Sequence, residues 1–286
     1  MKKETRKKVW SIALALLLAF ALAACGGAQP EEQAGDAGDV GEPIELVVFA
    51  AASMTETLEE IAGLYADVAP DVTLVFNFDS SGTLKTQIEE GALCDLFISA
   101  GQRQMDQLDI DAPDTVNTDA LDFVVAGTRV NLLENRVTLV VPDGNPKDIN
   151  SFDDMASGLV SGEILLAMGN SDVPVGQYTQ RILEYFSLDE EALAATGVIS
   201  YGSNVKEVTT QVSAGSVDCG VIYATDAFSD GLLIVDYATE EMCGQVIYPA
   251  AVINTGANQD AARAFLNYLF SAEAMAVFES VGFSGV

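Results

Sequence analysis

Apolar and polar positions along the chain fall into short runs that change period repeatedly. Val47-Val48-Phe49 is a continuous β-branched and aromatic run, the pattern of a strand covered on both faces. Leu58, Ile61, Ala62, Tyr65 and Val68 then recur at helical spacing. Between them, Ala50-Ala51-Ala52 turns the backbone, and Ser53 with Glu56 has the spacing of a capping box at the start of a helix over Ser53–Val68. The alternation continues. Strands are expected at 72–78, 96–100, 137–142, 163–168, 219–224, 232–237 and 246–252. Helices are expected from Ser80-Ser81-Gly82 to Gly91, from Gly101 to about Leu108, from Val175 to Phe186 and from Asn204 to Gly215. Residues 259–281 read as one long amphipathic helix, or two broken near Ser271. The pattern predicts an α/β protein of two lobes, each a mainly parallel sheet flanked by helices, with a ligand cleft between lobes. Residues 43–133 with 240–286 are expected to form lobe 1, and residues 134–239 lobe 2.

The first 42 residues have a different character. Lys2, Lys3, Arg6, Lys7 and Lys8 precede an apolar run from Val9 to Leu22 that is short for a membrane span. Leu22-Ala23-Ala24-Cys25 follows, the pattern of a bacterial lipoprotein signal whose cysteine is acylated. Residues 1–24 are thus expected to be removed, leaving Cys25 as a lipid anchor. Residues 25–42, rich in Gly, Ala, Asp and Glu, read as a flexible acidic tether. The chain is expected outside the cytoplasm, held to the membrane by lipid.

Composition narrows the chemistry. Losing residues 1–24 removes five basic groups and one acidic group, taking the formal charge from −30 to −34. Such a chain does not bind nucleic acid through phosphate contacts. It contains no histidine, which excludes Ser-His-Asp and Cys-His catalysis and any His-ligated metal. No nucleophile–base pair, Walker loop or dinucleotide fingerprint replaces them, and Ser81 and Lys85 are one residue too far apart for a Ser-x-x-Lys motif. No catalytic residue, cofactor or metal cation is expected. Asp153-Asp154 and Glu190-Glu191 read as solvated surface charge. Cys94 and Cys219 sit in apolar surroundings and read as core residues, and no disulfide is drawn among these two and Cys243.

What recurs is a strand end followed by a helix start rich in small or hydroxyl residues: Ala52-Ser53, Ser80-Ser81-Gly82, Pro174-Val175-Gly176 and Asn204-Val205. Such termini offer hydroxyls, free backbone N–H groups and the positive ends of helix dipoles. Converging on one cleft, they would hold a small ionised oxyanion without a basic side chain. Exposed negative charge is screened within roughly 8 Å at physiological salt, so local dipoles decide binding.

Several blocks in one order resemble the molybdate-binding proteins that feed ABC transporters: Val48 to Thr55, Phe78-Asp79-Ser80-Ser81-Gly82-Thr83-Leu84, Asp95 to Ala100, Asp172 to Tyr178, Asn204-Val205-Lys206, Gly220 to Ala227, and Tyr248 to Val252. The resemblance runs from Glu45 onward. It implies a type II periplasmic binding fold with a two-segment hinge. It also implies an oxyanion site made by the Ser53 and Ser81 hydroxyls, the Val175 and Val205 N–H groups and the Tyr223 hydroxyl. Val175 stands where the family often has alanine. The implied ligand is molybdate or tungstate, the implied partner an ABC permease, and the protein a monomer. Sulfate, phosphate and, less readily without histidine, iron with an anion remain open as ligands, as does an enzyme on the same scaffold.

Overall fold

The computed structural model describes residues 43–286. The expected signal segment, Cys25 and the tether lie outside the described residues.

β1 (Ile44–Ala51) is buried from Val48 onward, as its apolar run dictates. It passes through a single 3-10 turn, Ala52–Met54, into α1 (Thr55–Val68). The capping box is not formed: Ser53 lies inside the 3-10 turn, and neither that turn nor α1 has a side-chain cap. The strand runs on through Ala51 and α1 begins only at Thr55, so its N-cap position falls to Met54, one residue past Ser53. β2 (Val72–Asp79), α2 (Ser81–Glu89), β3 (Leu96–Ile98) and α3 (Gln102–Asp106) follow. β1 pairs in parallel with β2, from Ile44–Val72 to Ala51–Asp79, and with β3 at Phe49–Phe97. The carboxyl ends of all three strands therefore emerge along one edge.

β4 (Val130–Asn135) leads through Arg136 into β5 (Val137–Val141), which belongs to a different sheet. Around β5 are built α4 (Phe152–Ser161), β6 (Leu166–Gly169), α5 (Pro174–Tyr185), α6 (Glu190–Thr196), β7 (Ile199–Gly202), α7 (Val205–Ser213), β8 (Cys219–Tyr223), α8 (Ala224–Ser229) and β9 (Leu233–Tyr237). After α9 (Glu240–Cys243) the chain returns to the first sheet as β10 (Val246–Val252). It ends with α10 (Gln259–Tyr268), α11 (Ala272–Ser280) and β11 (Ser284–Gly285). Ser271 caps α11 by accepting from the Ala274 N–H, which makes the C-terminal helix two.

The first sheet has the order β11-β4-β10-β3-β1-β2 and the second β7-β6-β8-β5-β9. The two-lobe α/β architecture is as expected, but the sheets are mixed rather than mainly parallel. β10 runs antiparallel to both β3 and β4, and β5 antiparallel to both β8 and β9. β5 and β10 are the strands the chain enters on crossing from one sheet to the other, so their direction is not set by a strand–helix–strand return within one sheet. β6 begins at Leu166 rather than Glu163, because Gly162, at φ 74°, caps α4 in the left-handed region and residues 163–165 complete the exit. Asp153-Asp154 and Glu190-Glu191 occupy the first turns of α4 and α6, where acidic side chains complement the helix dipole. Cys94, Cys219 and Cys243 are buried, free thiols.

Candidate functional site

Each predicted site residue stands where a strand hands over to a helix, and the fold brings all five together. Ser53, Ser81, Val175, Val205 and Tyr223 line one cavity of about 10 Å³, with Ala51, Ala52, Asp79, Ser80, Ala100, Val173 and Pro174 completing its wall. Organic ligands usually occupy roughly 300–1,000 Å³. This space is about that of a single water and is closed to an organic ligand. A larger recess of about 590 Å³ between α8, β9 and residues 279–282 is lined by Phe228, Leu233, Tyr237 and Arg136, and has no converging helix starts.

From the first lobe come the two serines. Ser80 caps α2, its hydroxyl accepting from the Thr83 N–H at 3.2 Å. This frees Ser81, the first helical residue, to point elsewhere. Ser81 is fully buried, and its Oγ accepts a hydrogen bond from the Ala100 N–H at 2.9 Å. With that lone pair used, the Ser81 hydroxyl hydrogen remains to be given to a ligand. Ser53 Oγ lies 2.9 Å from the hydroxyl of Tyr248, a buried residue of β10.

From the second lobe come two helix starts and a phenol. Pro174 opens α5, so Val175, next along, has no intrahelical acceptor for its N–H. Gly176 lets this turn sit on the end of β6, since a Cβ there would lie 2.6 Å from the Gly169 carbonyl carbon. Asn204 caps α7 by accepting from the Glu207 N–H at 3.1 Å, leaving the Val205 N–H as the first unpaired donor of that helix. Tyr223 ends β8 with its hydroxyl 3.4 Å from the Ala100 carbonyl oxygen, to which it donates. Burial pushes the Tyr223 and Tyr248 phenols well above their ordinary range, so both stay protonated.

The wall contains no Lys or Arg, and its one charged residue is Asp79. Asp79 Oδ1 accepts from the Ser80 N–H at 2.7 Å and from Asn204 Nδ2 at 3.3 Å, the latter reaching across from α7. A second cross-lobe tie lies nearby. Lys206, one residue after Val205, bonds both oxygens of Glu56 on α1 at 2.8 and 3.0 Å. Its Nζ also lies 3.4 Å from Asp226. Asp226 is buried, and neither of its oxygens has a hydrogen-bond partner among the described residues. Burial, opposed by Lys206, pushes its carboxyl up to about 7. Sequence reasoning missed Asp79, Ala100 and Tyr248. Asp79 was legible as the residue before the Ser-Ser pair, whereas Ala100 acts through its backbone and Tyr248 comes from 195 residues away.

Two mixed sheets flanked by helices, crossed by the chain more than once and closing on a small cavity walled by helix starts, define a solute-binding protein of the two-lobe type II class. The chain belongs to the bacterial extracellular solute-binding protein family, whose model matches residues 46–284. It is 34% identical over 279 residues to YvgL of Bacillus subtilis, assigned provisionally as an ABC transporter substrate-binding lipoprotein, covering 97% of this chain and 98% of that one. It is 33% identical over 245 residues to the molybdate-binding protein ModA of Escherichia coli K12, covering 84% and 89%. In fold it is similar to the periplasmic molybdate-binding protein of Azotobacter vinelandii, with a TM-score of 0.70 at 21% identity over 84% of this chain and 98% of that one.

Proposed function

We propose that this protein captures molybdate, and tungstate alike, outside the cytoplasm and delivers it to an ABC permease, held at the membrane by lipid on Cys25. The supporting observation is the donor set of the cavity: Ser53 and Ser81 from one lobe and the Val175 and Val205 N–H groups from the other, with Tyr223 exchanging its 3.4 Å bond to the Ala100 carbonyl for one to the ligand, and no basic side chain. Preorganised dipoles of this kind replace the hydration shell of a fully ionised tetrahedral anion. In this reading residues 43–133 with 240–286 form one lobe, 134–239 the other, and the two chain crossings are the hinge. An open protein meets the ligand with the serines, and closure brings up the second-lobe donors, so the ligand shifts the population towards the closed form. Molybdate is favoured over other oxyanions by the ModA relatives at about 30% identity.

The test is thermal unfolding of extensively dialysed protein, begun at residue 26, with molybdate, tungstate, sulfate, phosphate or buffer alone. A ligand at about 1,000 times its Kd that binds only the native state stabilises by roughly 4 kcal/mol. Large shifts with molybdate and tungstate alone are expected. A shift confined to sulfate or phosphate would replace the ligand and keep the site. No shift with any of them would end the proposal.

A further inference from the structure

A serine hydroxyl both donates and accepts, so the presence of Ser53 in the wall does not decide which it offers a ligand. Its partner Tyr248 has the same ambiguity, and the 2.9 Å between their oxygens fits either direction. The ambiguity is removed one step further back. Tyr248 OH lies 3.2 Å from Asn135 Nδ2, and the orientation of that amide is fixed at its other end, where Oδ1 accepts the Arg136 N–H at 2.8 Å. The nitrogen therefore faces Tyr248, with its second hydrogen directed to Thr225 Oγ1 at 3.0 Å.

An amide nitrogen only donates. The Tyr248 oxygen accepts from that amide, and its phenolic hydrogen, fully buried, has Ser53 Oγ as its acceptor among the described residues, so it goes there. Ser53 in turn accepts, and its own hydrogen has no hydrogen-bond acceptor among the described residues. We propose that Asn135 and Tyr248 are positioning residues that turn the Ser53 hydroxyl hydrogen into the cavity and set the site for a ligand that only accepts hydrogen bonds. This rests on the oxyanion reading above and names how Ser53 comes to offer the ligand a hydrogen rather than a lone pair. Ser81, held by the Ala100 N–H, has the same polarity by a shorter route. Ser53 and Ser81, which follow the neighbouring strands β1 and β2, thereby become donors through the protein's own donors. The relay is also anchored in the crossings. Asn135 ends β4, Tyr248 lies in β10 and Thr225 lies in the first turn of α8, so the hydroxyl is oriented by the strands that join the lobes.

The experiment is calorimetric titration of molybdate into the chain from residue 26, as wild type, Tyr248→Phe, Ser53→Ala and the double variant. The Phe ring keeps the edge contacts that Tyr248 makes with Tyr223 and Phe283, at 5.7 and 5.2 Å. Tyr248→Phe should weaken binding about five- to tenfold, in line with one net hydrogen bond. The double variant should bind no more weakly than Ser53→Ala alone, because Tyr248 acts only through Ser53. Asn135→Asp is the second variant. Its carboxylate would take the phenolic hydrogen, reverse the relay and weaken binding more than tenfold. Unchanged affinity in Tyr248→Phe, or effects of Tyr248→Phe and Ser53→Ala that multiply, overturns the relay while leaving the oxyanion site. Wild-type protein that binds no oxyanion overturns both.

Discussion

Replacing Gly82 by alanine separates closure from folding. Gly82 lies in the first turn of α2, on the first lobe, and faces the backbone of Asp172 in the loop that leads to α5 on the second. A Cβ built at Gly82 would lie 2.9 Å from the Asp172 carbonyl carbon and nearer still to its oxygen. Both are backbone atoms, so no rotamer change relieves the contact, and the loop must retreat by on the order of 1 Å to restore ordinary van der Waals separation. Val175 follows Asp172 by three residues and moves with it. A donor set back by that distance no longer makes a hydrogen bond to a seated anion. A bond to a charged group is worth about 1.5–3 kcal/mol, so molybdate affinity should fall roughly ten- to a hundredfold. Stability should move the other way. Gly82 is not in the left-handed region, and alanine within a helix is favoured over glycine by about 0.5–1 kcal/mol, so ligand-free Gly82→Ala should melt at or above wild type. Calorimetry with molybdate and a ligand-free melt read the two effects separately. Wild-type affinity in the alanine variant would refute the reasoning, since it would mean that α2 and the Asp172 loop do not meet when the ligand is held.

Other consequences are equally direct. Ser81→Ala should cost about 1–3 kcal/mol of molybdate binding, read by calorimetry, because it removes a hydrogen bond to a charged group. Asp226 titrates at about 7 in the native chain against an unfolded value near 3.8. The native state thus binds the extra proton between those values, and this group makes the protein less stable as pH rises through that window. Urea unfolding at pH 5.5 and 7.5 should show Asp226→Asn gaining on wild type at the higher pH, and parallel behaviour would count against it. Lys206→Met should weaken molybdate binding while leaving the first-lobe serines intact, because Lys206 ties Glu56 to the helix that carries Val205. The same loss should appear when titrations are run with Lys206→Met at several salt concentrations. Burial raises all three core thiols, Cys219 to about 12 and Cys243 to about 11. Alkylation at pH 8 of protein begun at residue 26 should therefore be negligible until denaturant is added, as mass spectrometry would show.

The parts of this molecule written into short stretches were legible in the chain, and the parts made by distant partners were not. The helix starts at Ser81, Pro174 and Val205 follow from local caps and breakers, and Ser80 and Asn204 cap as their residue types predict. Ser53 shows the limit. Its neighbours suggest a cap, yet its hydroxyl is taken by a tyrosine of β10, a partner that no local pattern reveals. The mixed character of the sheets was hidden for the same reason, because strand direction depends on where the chain crosses and not on the apolar runs themselves. β4 was missed because Val130–Asn135 mixes polar and apolar residues. α4 and α6 had readable signals, an N-cap at Ser151 and Asp189, acidic first turns and Gly162 or Gly197 in the left-handed region at the end, but their charge suggested surface before helix.

The position of β10 has a consequence for how the chain acquires this structure. In the first sheet it lies between β3 and β4, so the sheet stays in two pieces until residues 246–252 are available. The second sheet needs only β5 to β9, a continuous stretch. A chain emerging from its N-terminus can therefore finish the second sheet while the first still has a gap at its centre. Pairing across that gap joins segments about 150 residues apart, as at Phe97–Ala251, and such non-local contacts form slowly. Synthesis that stops short of β10 leaves all five proposed site residues in the chain, with the Ser53 hydroxyl lacking its Tyr248 partner.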